Sequence, residues 1–368
     1  MNKIFSIILL FSTVFLSAGC SDQETSGSGT VAAGTEANKT FIWKLVTTWP
    51  ANFPVFQEGV ERFAEDVSTM SNGRLDIKVY AGGQLVPPLG VFDAVTQGSV
   101  EMGHGGAYYW AGKVPAAQFM STVPFGMTAG GVNAWFYAGD GIKLWHEIYQ
   151  PFNLKAFPMG NTSAQMGGWF NKKIESVDDL KGLKMRIPGL GGKVLARAGG
   201  NPVLMAAGEI YTALERNTID ATEWVGPFHD LRLGLQRAAK YYYFPGWHEP
   251  GSALELLINQ AAWDSLSPDL QKIIEMSAAA NNIWMHAEFD VRNQEALQVL
   301  KEKHGNIEIV EFPKEVIAEF KRLTAEVLEE EAAKDPVFKK VHDNYKTFSE
   351  QNAEWDDLSD GAYRNATK

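Results

Sequence analysis

The sequence contains a single cysteine, and several groups on which enzymes and metalloproteins depend are missing from it. Because Cys20 has no second cysteine to pair with, an intramolecular disulfide and a zinc site built on cysteines are excluded. The seven histidines are scattered, and none stands in a His-Glu-x-x-His or comparable zinc spacing. Neither a nucleophile elbow nor a glycine-rich phosphate loop occurs. A zinc enzyme or a hydrolase with a serine nucleophile therefore receives little support.

Basic residues are also fewer than acidic ones. The chain has 33 lysines and arginines against 44 acidic residues, which gives a net charge of −11. Since no basic run interrupts this balance, binding of nucleic acid is not expected. An anionic ligand would have to be captured by local groups, because the overall field of the protein repels it.

A short apolar run lies at the start of the chain. Lys3, the apolar residues 4–16 and the small residues before Cys20 are typical of a bacterial export signal. The run is shorter than a typical transmembrane helix. The alternative is a single membrane anchor. The Leu-Ser-Ala-Gly-Cys sequence resembles a lipobox, whose cysteine is diacylated and becomes the new N-terminus. The alternative is ordinary cleavage nearby. We predict a lipoprotein signal peptide at 1–20 and a periplasmic protein anchored by lipid at Cys20.

The composition changes after the signal. Residues 21–40 consist of small, polar and charged residues, which predicts a flexible tether. The remaining chain is long enough for two lobes. Strand-like and helix-like segments then alternate, and this order is typical of α/β lobes with parallel sheets. In the first part, strands are predicted at 41–48, 75–80 and 102–105 and helices at 53–70 and 88–98. The segment 160–246 shows the same alternation of strands and helices.

The second half contains one unusually long helical pattern. Residues 267–304 contain no glycine, and their one proline is Pro268 near the start; a single helix of that length would span about 55 Å. The alternative is two helices with a kink. We predict an α/β fold with a ligand cleft between two lobes. Lobe I is predicted at 41–163 plus 250–285, lobe II at 164–249 plus 286–345 with the C-terminal helices, and a tail at 346–368.

Arg186 stands on the polar side of a predicted strand. Ser176 can cap a short helix, and Leu183, Met185 and Ile187 then alternate with polar residues before Pro188 stops the strand. An arginine presented in this way is suited to a bidentate grip on a carboxylate. The alternative is a solvated surface arginine.

Six short motifs in a fixed order carry a resemblance to a known family. They are Gly73-Arg-Leu75, Ala81-Gly-Gly-Gln-Leu85, Val123-Pro-Phe-Gly126, Asp179-Leu-Lys-Gly-Leu-Lys-Met-Arg-Ile-Pro188, Ile219-Asp-Ala-Thr-Glu-Trp224 and Gly246-Trp-His-Glu-Pro-Gly251. The chain resembles the substrate-binding subunits of tripartite ATP-independent periplasmic (TRAP) transporters from about residue 41 to about residue 345. Within them it is most similar to the branch that binds small 2-oxo or 2-hydroxy monocarboxylates, such as pyruvate or lactate, with a metal ion.

This resemblance implies a binding subunit that performs no chemistry and delivers its ligand to a membrane permease. It also implies one long helix behind both lobes. An exported metal-dependent enzyme and a ligand-sensing lipoprotein on the same scaffold are the alternatives.

The resemblance also implies a set of site residues. The metal ligands are the side-chain oxygens of Gln165, Glu223 and Glu249 and the main-chain carbonyl of Trp224. In the family a carboxamide often replaces Glu249, and the second acid here favours Ca²⁺ over Na⁺ by charge. Alternatively, Glu249 pairs with His248 or points to solvent.

The implied ligand-binding residues are Gln165, Arg186 and Tyr109. Arg186 would hold the ligand carboxylate, and Tyr109 would donate its hydroxyl. For the neighbouring Tyr108 and Trp110 a place in the first-lobe core is an equal alternative. Trp169 and Phe228 either line the pocket or pack in a core.

The C-terminal part suggests a homodimer. Residues 313–333 form an amphipathic pattern whose apolar face comprises Val316, Ile317, Phe320, Leu323, Val327 and Leu328. In the metal-using branch of the family a C-terminal helix reaches across to a partner subunit, and an exchanged helix is an economical route to a twofold dimer. The alternative is that this face packs on the chain's own second lobe.

Overall fold

The computed structural model describes residues 39–367. The predicted signal peptide, the lipidation site at Cys20 and nearly all of the predicted tether lie outside these residues. Within them, no helix is both long enough and apolar enough to cross a membrane.

Eleven strands form two sheets in the described part of the chain. The strands are β1 (Phe41–Thr47), β2 (Leu75–Tyr80), β3 (Met102–Gly105), β4 (Leu154–Asn161), β5 (Gly168–Phe170), β6 (Lys184–Arg186), β7 (Asn201–Val203), β8 (Ala221–Thr222), β9 (Tyr241–Phe244), β10 (Ala253–Asn259) and β11 (Glu308–Glu311).

Helices cover the sheets. They are α1 (Phe56–Met70), α2 (Val91–Thr96), α3 (Ala129–Tyr137), α4 (Gly141–Tyr149), α5 (Gly189–Arg197), α6 (Ala207–Glu215), α7 (Pro227–Leu233), α8 (Leu235–Ala238), α9 (Gln260–Asp264), α10 (Pro268–Lys303), α11 (Lys314–Lys334), α12 (Pro336–Leu358) and α13 (Asp360–Ala366). Short 3₁₀ turns include Ala107–Trp110, Pro115–Met120 and Val177–Leu180.

The first sheet has the order β2-β1-β3-β10-β4, and it defines what we call the first lobe. Strand β1 is parallel to β2 and β3, as the strand–helix alternation predicts. Strand β10 is antiparallel to β3 and β4, because the chain re-enters this sheet after building the other one. The first sheet is therefore mixed, and the expected parallel arrangement holds only for its first three strands.

The second sheet has the order β11-β9-β5-β8-β6-β7 and defines the second lobe. Strand β6 lies between β7 and β8 and is parallel to both. Strand β5 is antiparallel to its neighbours β8 and β9. The prediction of an α/β fold with two lobes is confirmed.

Helix α10 is one helix of 36 residues, so the alternative of two separate helices is excluded. Its first half contacts the first lobe, where Asn282 Oδ1 accepts a hydrogen bond from the Gly160 amide at 3.2 Å. Its second half contacts the second lobe, where Asn293 Oδ1 accepts one from the Phe228 amide at 3.0 Å. A span of about 54 Å suffices for both contacts.

The last helices return to the first lobe. Helix α11 packs on α5 in the second lobe, whereas α12 packs on α3, α4 and the 115–120 turn. Phe338 contacts the ring of Phe119 at 4.8 Å, and Tyr345 Oη accepts a hydrogen bond from the Met127 amide at 3.0 Å. Residues 336–345, which the sequence analysis assigned to the second lobe, thus contact the first. The expected tail is helical through most of its length, as α12 and α13.

Candidate functional site

Two parallel strands of the second sheet bring Arg186 and Glu223 together. Arg186 is the last residue of β6, and Glu223 directly follows β8. The two strands are neighbours in register, with Arg186 opposite Thr222, and the Glu223 amide donates a hydrogen bond to the Arg186 carbonyl at 3.2 Å. Since the carboxyl ends of parallel strands share one edge of a sheet, both side chains point toward the same region.

Arg186 is buried, with 1% of its surface exposed, so the alternative of a solvated surface arginine is excluded. Its Nη1 donates to Glu223 Oε1, and its Nη2 donates to the hydroxyl of Tyr109 at 3.4 Å. The guanidinium carbon lies 5.1 Å from the centre of the Trp224 ring. Burial lowers the pKa of Arg186, but the effects of Glu223 and Tyr109, which raise it, are larger in sum. The net shift of the pKa is upward, so the guanidinium stays protonated.

Tyr109 extends the site to the first lobe. It lies on the 3₁₀ turn that follows β3, while Arg186 belongs to the second sheet. The site therefore lies where the two lobes meet. Because the Tyr109 hydroxyl oxygen accepts from Arg186, its proton is left to donate to another group. Trp110 instead donates its ring N–H to Glu255 in the first-lobe core, so the core alternative holds for that residue.

Gln165 and Glu249 contact each other, and the carboxylate of Glu249 lies near that of Glu223. Gln165 Nε2 donates to Glu249 Oε2 at 2.7 Å and to Thr162 Oγ1 at 3.0 Å. Ser252 Oγ also donates to Glu249 Oε2. Since Glu249 is 2% exposed and holds these partners, the alternatives of a solvent-facing carboxylate or a pair with His248 do not apply.

A glycine allows the two loops of the site to approach closely. Gly246 donates its amide to the Gln165 carbonyl at 3.1 Å, and the Gln165 amide donates to the Glu249 carbonyl at 3.1 Å. A Cβ atom at Gly246 would collide with the Gln165 main-chain oxygen. The motif Gly246-Trp-His-Glu thus holds its acid beside Gln165 through the main chain.

The charges of the buried groups suit a cation. Burial, and then the charge of Glu223, raise the pKa of Glu249 well above its ordinary value. Gln165 Oε1 and Glu223 Oε2 are buried without a hydrogen-bond partner in residues 39–367. Buried acceptor oxygens that lack donors are the groups that a hard cation takes as ligands. The residues present therefore fit a metal ion.

His248 belongs to this cluster, although the sequence analysis considered it only as a partner for Glu249. Ligand atoms of Glu223, His248 and Glu249 all lie within 4.8 Å of one another. The imidazole is 1% exposed, and its carboxylate neighbour is Glu223. Its position next to Glu249 in the sequence was the available signal.

The two other aromatic candidates have structural partners. Trp169 stacks on Tyr242 at 4.1 Å and donates its ring N–H to Asp230 at 3.0 Å, inside the second lobe. Phe228 lies on α7, with its ring 5.3 Å from the Arg292 guanidinium. Packing therefore accounts for both residues, as the alternative in the sequence analysis proposed.

Two α/β lobes with a buried arginine and paired carboxylates at their junction define a two-lobe solute-binding protein. The sequence pattern of the bacterial extracellular solute-binding proteins, family 7, matches residues 45–335, and the chain belongs to that family. These proteins are periplasmic binding subunits of TRAP transporters and not enzymes, so the family named in the sequence analysis is confirmed.

Three relatives illustrate the similarity. The monocarboxylate 2-oxoacid-binding periplasmic protein of a Nostoc species is 45% identical over 323 residues, which cover 88% of each chain. A TRAP periplasmic solute-binding protein from Pseudoalteromonas atlantica, crystallised with bound sodium and pyruvate, has a TM-score of 0.87 and 44% identity, covering 89% of this chain and 99% of its own. One from Colwellia psychrerythraea, with bound calcium and pyruvate, has a TM-score of 0.87 and 46% identity, covering 89% and 100%.

Proposed function

We propose that this chain captures a small 2-oxo or 2-hydroxy monocarboxylate, such as pyruvate or lactate, together with Ca²⁺ or Na⁺, and delivers it to a TRAP membrane permease. The observation that carries the proposal is the junction of one buried arginine with two buried carboxylates. This arrangement offers an anion site and a cation site side by side. Relatives of high similarity bind pyruvate with calcium or with sodium.

The cation site consists of oxygen atoms. Gln165 Oε1, the carboxylates of Glu223 and Glu249 and the main-chain carbonyl of Trp224 would hold the ion, which is the ligand set that hard cations prefer. When bound, the ion supplies positive charge for the ligand's carboxylate and 2-oxygen. Two carboxylates in the protein favour Ca²⁺ over Na⁺ by charge.

The anion site consists of Arg186, Gln165 and Tyr109. The guanidinium offers a planar pair of donors to the ligand carboxylate, and Tyr109 donates its hydroxyl proton. Arg186 and Glu223 form an ion pair with each other. A bound ligand carboxylate on Arg186 and a bound Ca²⁺ on Glu223 and Glu249 balance the buried site, because Arg186 and the ion carry three positive charges and the three carboxylates carry three negative ones.

Thermal unfolding of the purified protein with small organic acids tests this function. A ligand that binds only the native state stabilises it, by about 2.7 kcal/mol at a concentration of one hundred times Kd. We expect pyruvate or lactate to raise the Tm in the presence of Ca²⁺, and the rise to shrink after chelation. Acetate, which has the carboxylate but no 2-oxygen, is the matched control. An equal rise with acetate, or no rise with any 2-oxo acid, contradicts the proposal.

The sequence-based division into lobes is retained as part of this proposal, with lobe I at 41–163 plus 250–285 and lobe II at 164–249 plus 286–345. Strand β10 in the first sheet and β11 in the second support it, while the contacts of α12 argue for moving 336–345 to the first lobe. The lipid anchor at Cys20 stays a sequence-based prediction.

A homodimer through the C-terminal helices is also proposed, with a different surface from the one first considered. Most of the apolar face of 313–333 is covered within its own chain, because Val316 and Phe320 are buried and Phe320 stacks on Trp247 at 4.0 Å. Further on, Trp355, Leu358 and Tyr363 are each about 70% exposed. Large apolar side chains exposed on neighbouring helices are typical of a protein contact.

Light scattering on a form beginning at residue 41 tests the dimer. We expect twice the mass of one chain at micromolar concentration, and a single-chain mass when residues 351–368 are removed, because the exposed apolar residues leave with that segment. A single-chain mass before the truncation would rule out this dimer.

A further inference from the structure

The imidazole of His248 is enclosed and has no hydrogen-bond partner. Neither Nδ1 nor Nε2 has one within residues 39–367, although the side chain is 1% exposed. A buried polar ring usually finds at least one partner, so an exception of this kind indicates a function. The unpartnered oxygens Glu223 Oε2 and Gln165 Oε1 belong to the same site. Four polar atoms without partners are thus concentrated here.

The position of the ring is fixed by its surroundings. The neighbouring Trp247 stacks on Phe320 with an angle of 14° between the rings, and the Trp247 carbonyl accepts a hydrogen bond from the Phe125 amide at 2.8 Å. A Cβ atom at Gly191 on α5 would lie 3.0 Å from the His248 Cβ. Helix α5 therefore packs closely against the base of this side chain and limits the movement of the histidine main chain away from the carboxylates.

The distance between the ring and the nearest carboxylate suits two ligands of one ion. His248 Nε2 lies 3.6 Å from Glu223 Oε2, which is too long for a hydrogen bond. Two ligand atoms that share one ion at about 2.1–2.4 Å lie roughly 3.0–3.9 Å apart for octahedral to tetrahedral angles. The observed separation of 3.6 Å falls within that range.

We propose that His248 is a nitrogen ligand of the ion held by Glu223 and Glu249, and that this site therefore also binds divalent transition ions such as Co²⁺ and Zn²⁺. The inference rests on the proposed metal-linked function and adds a ligand to it. Ca²⁺ and Na⁺ prefer oxygen ligands, whereas imidazole favours the first-row transition ions. One nitrogen among oxygens thus extends the range of ions without removing the hard ones.

The consequence is a selective effect of removing the imidazole. The substitution His248→Gln keeps a similar size but offers an ion an amide oxygen in place of the imidazole nitrogen that first-row transition ions favour. We expect His248→Gln to lower the affinity for Co²⁺ and Zn²⁺ by at least about tenfold. The affinity for Ca²⁺ should change by only about twofold, because its oxygen ligands remain.

Metal titrations of the purified full chain, with and without pyruvate, test the inference by direct binding. NMR of the Co²⁺ form adds a readout that does not depend on affinity, since a coordinated imidazole gives strongly shifted proton signals. We expect these signals in the wild type and their loss in His248→Gln. The control is His286→Gln on the half-exposed face of α10, which should leave both the signals and the affinities unchanged.

The outcomes separate this inference from the function on which it rests. One outcome overturns only the role of His248: pyruvate still binds in a Ca²⁺-linked manner, but Co²⁺ binds without shifted imidazole signals. Equal losses for Ca²⁺ and Co²⁺ in a variant with an unchanged Tm also overturn it. If His248→Gln unfolds, the smaller His248→Asn carries the same comparison. Absence of any metal-linked binding in the wild type overturns the proposed function as well.

Discussion

Replacing Arg186 with alanine should remove most of the affinity for the organic acid. The guanidinium is the one buried cation at the described site, and the ligand carboxylate would be left without a partner there. Loss of one partner of a buried charge pair costs about 2–5 kcal/mol, which corresponds to roughly a 30- to 5,000-fold weaker Kd. Calorimetric titration with pyruvate in the presence of Ca²⁺ measures this change directly.

The same substitution also affects stability, because Glu223 would remain buried without Arg186. Breaking a buried ion pair costs about 3–5 kcal/mol of folding free energy. Arg186→Lys keeps the charge but not the planar pair of donors, so it should keep more stability and still bind weakly. Arg197→Ala is the matched control, since that arginine is about half exposed and pairs with Glu330 on the surface. Affinity within a few-fold of wild type in a folded Arg186→Ala protein would exclude the carboxylate clamp.

Local sequence patterns predicted the elements that depend on local physics. The alternation around Arg186 predicted a strand through Ile187 that Pro188 stops, and the observed strand ends one residue earlier, at Arg186. The helical pattern after Pro268 contains no further glycine or proline, so no residue there interrupts the helical hydrogen bonds. This agrees with the one long helix observed, although the pattern alone left two helices with a kink as the alternative. The capping box of Ser176 and Asp179 is also present. These features need only neighbours along the chain.

Features that depend on distant contacts were less accessible. The antiparallel position of β10 is decided by where the chain returns to the first sheet, and no residue of that strand encodes it. Strand β8 ends at Thr222, so that Glu223 and Trp224 leave the sheet and reach the site. The apolar face of α11 looks the same in sequence whether its own chain or a partner covers it. The packing of α11 on α5 and the stacking of Phe320 on Trp247 show that its own chain covers most of this face.

The residues of the site also fall into those that the sequence indicated and those that only the folded structure identifies. Arg186 came from its strand pattern, and Gln165, Glu223 and Glu249 came from the resemblance; the structure brings all four together. Their partners Thr162 and Ser252 are ordinary polar residues with no distinctive pattern. What makes them important is the hydrogen bonds that they share with Gln165 and Glu249, and these bonds exist only after folding.

Replacing Glu223 with glutamine should uncouple ligand binding from the metal. Glutamine keeps the shape and an acceptor oxygen for Arg186 but removes the charge that attracts a cation. We expect metal affinity to fall by about 10- to 100-fold or more, judging from the effect of weaker perturbations around metal sites. Pyruvate affinity should then fall to the level of the chelated wild type and respond little to added Ca²⁺. Calorimetry with and without chelator measures both effects.

Glu255→Gln is the matched control for Glu223→Gln, because it changes an equally buried glutamate that takes no part in the site. Glu255 accepts hydrogen bonds from Trp110 and from Tyr149, the latter at 2.9 Å, and burial raises the pKa of its carboxyl group to about 8. Since the folded state already holds the proton at neutral pH, glutamine replaces a neutral group and metal binding should be unchanged. If Glu223→Gln weakens binding no more than this control does, Glu223 is not a metal ligand. Unchanged pyruvate affinity in wild-type protein that elemental analysis shows to be metal-free would remove the metal from the mechanism altogether.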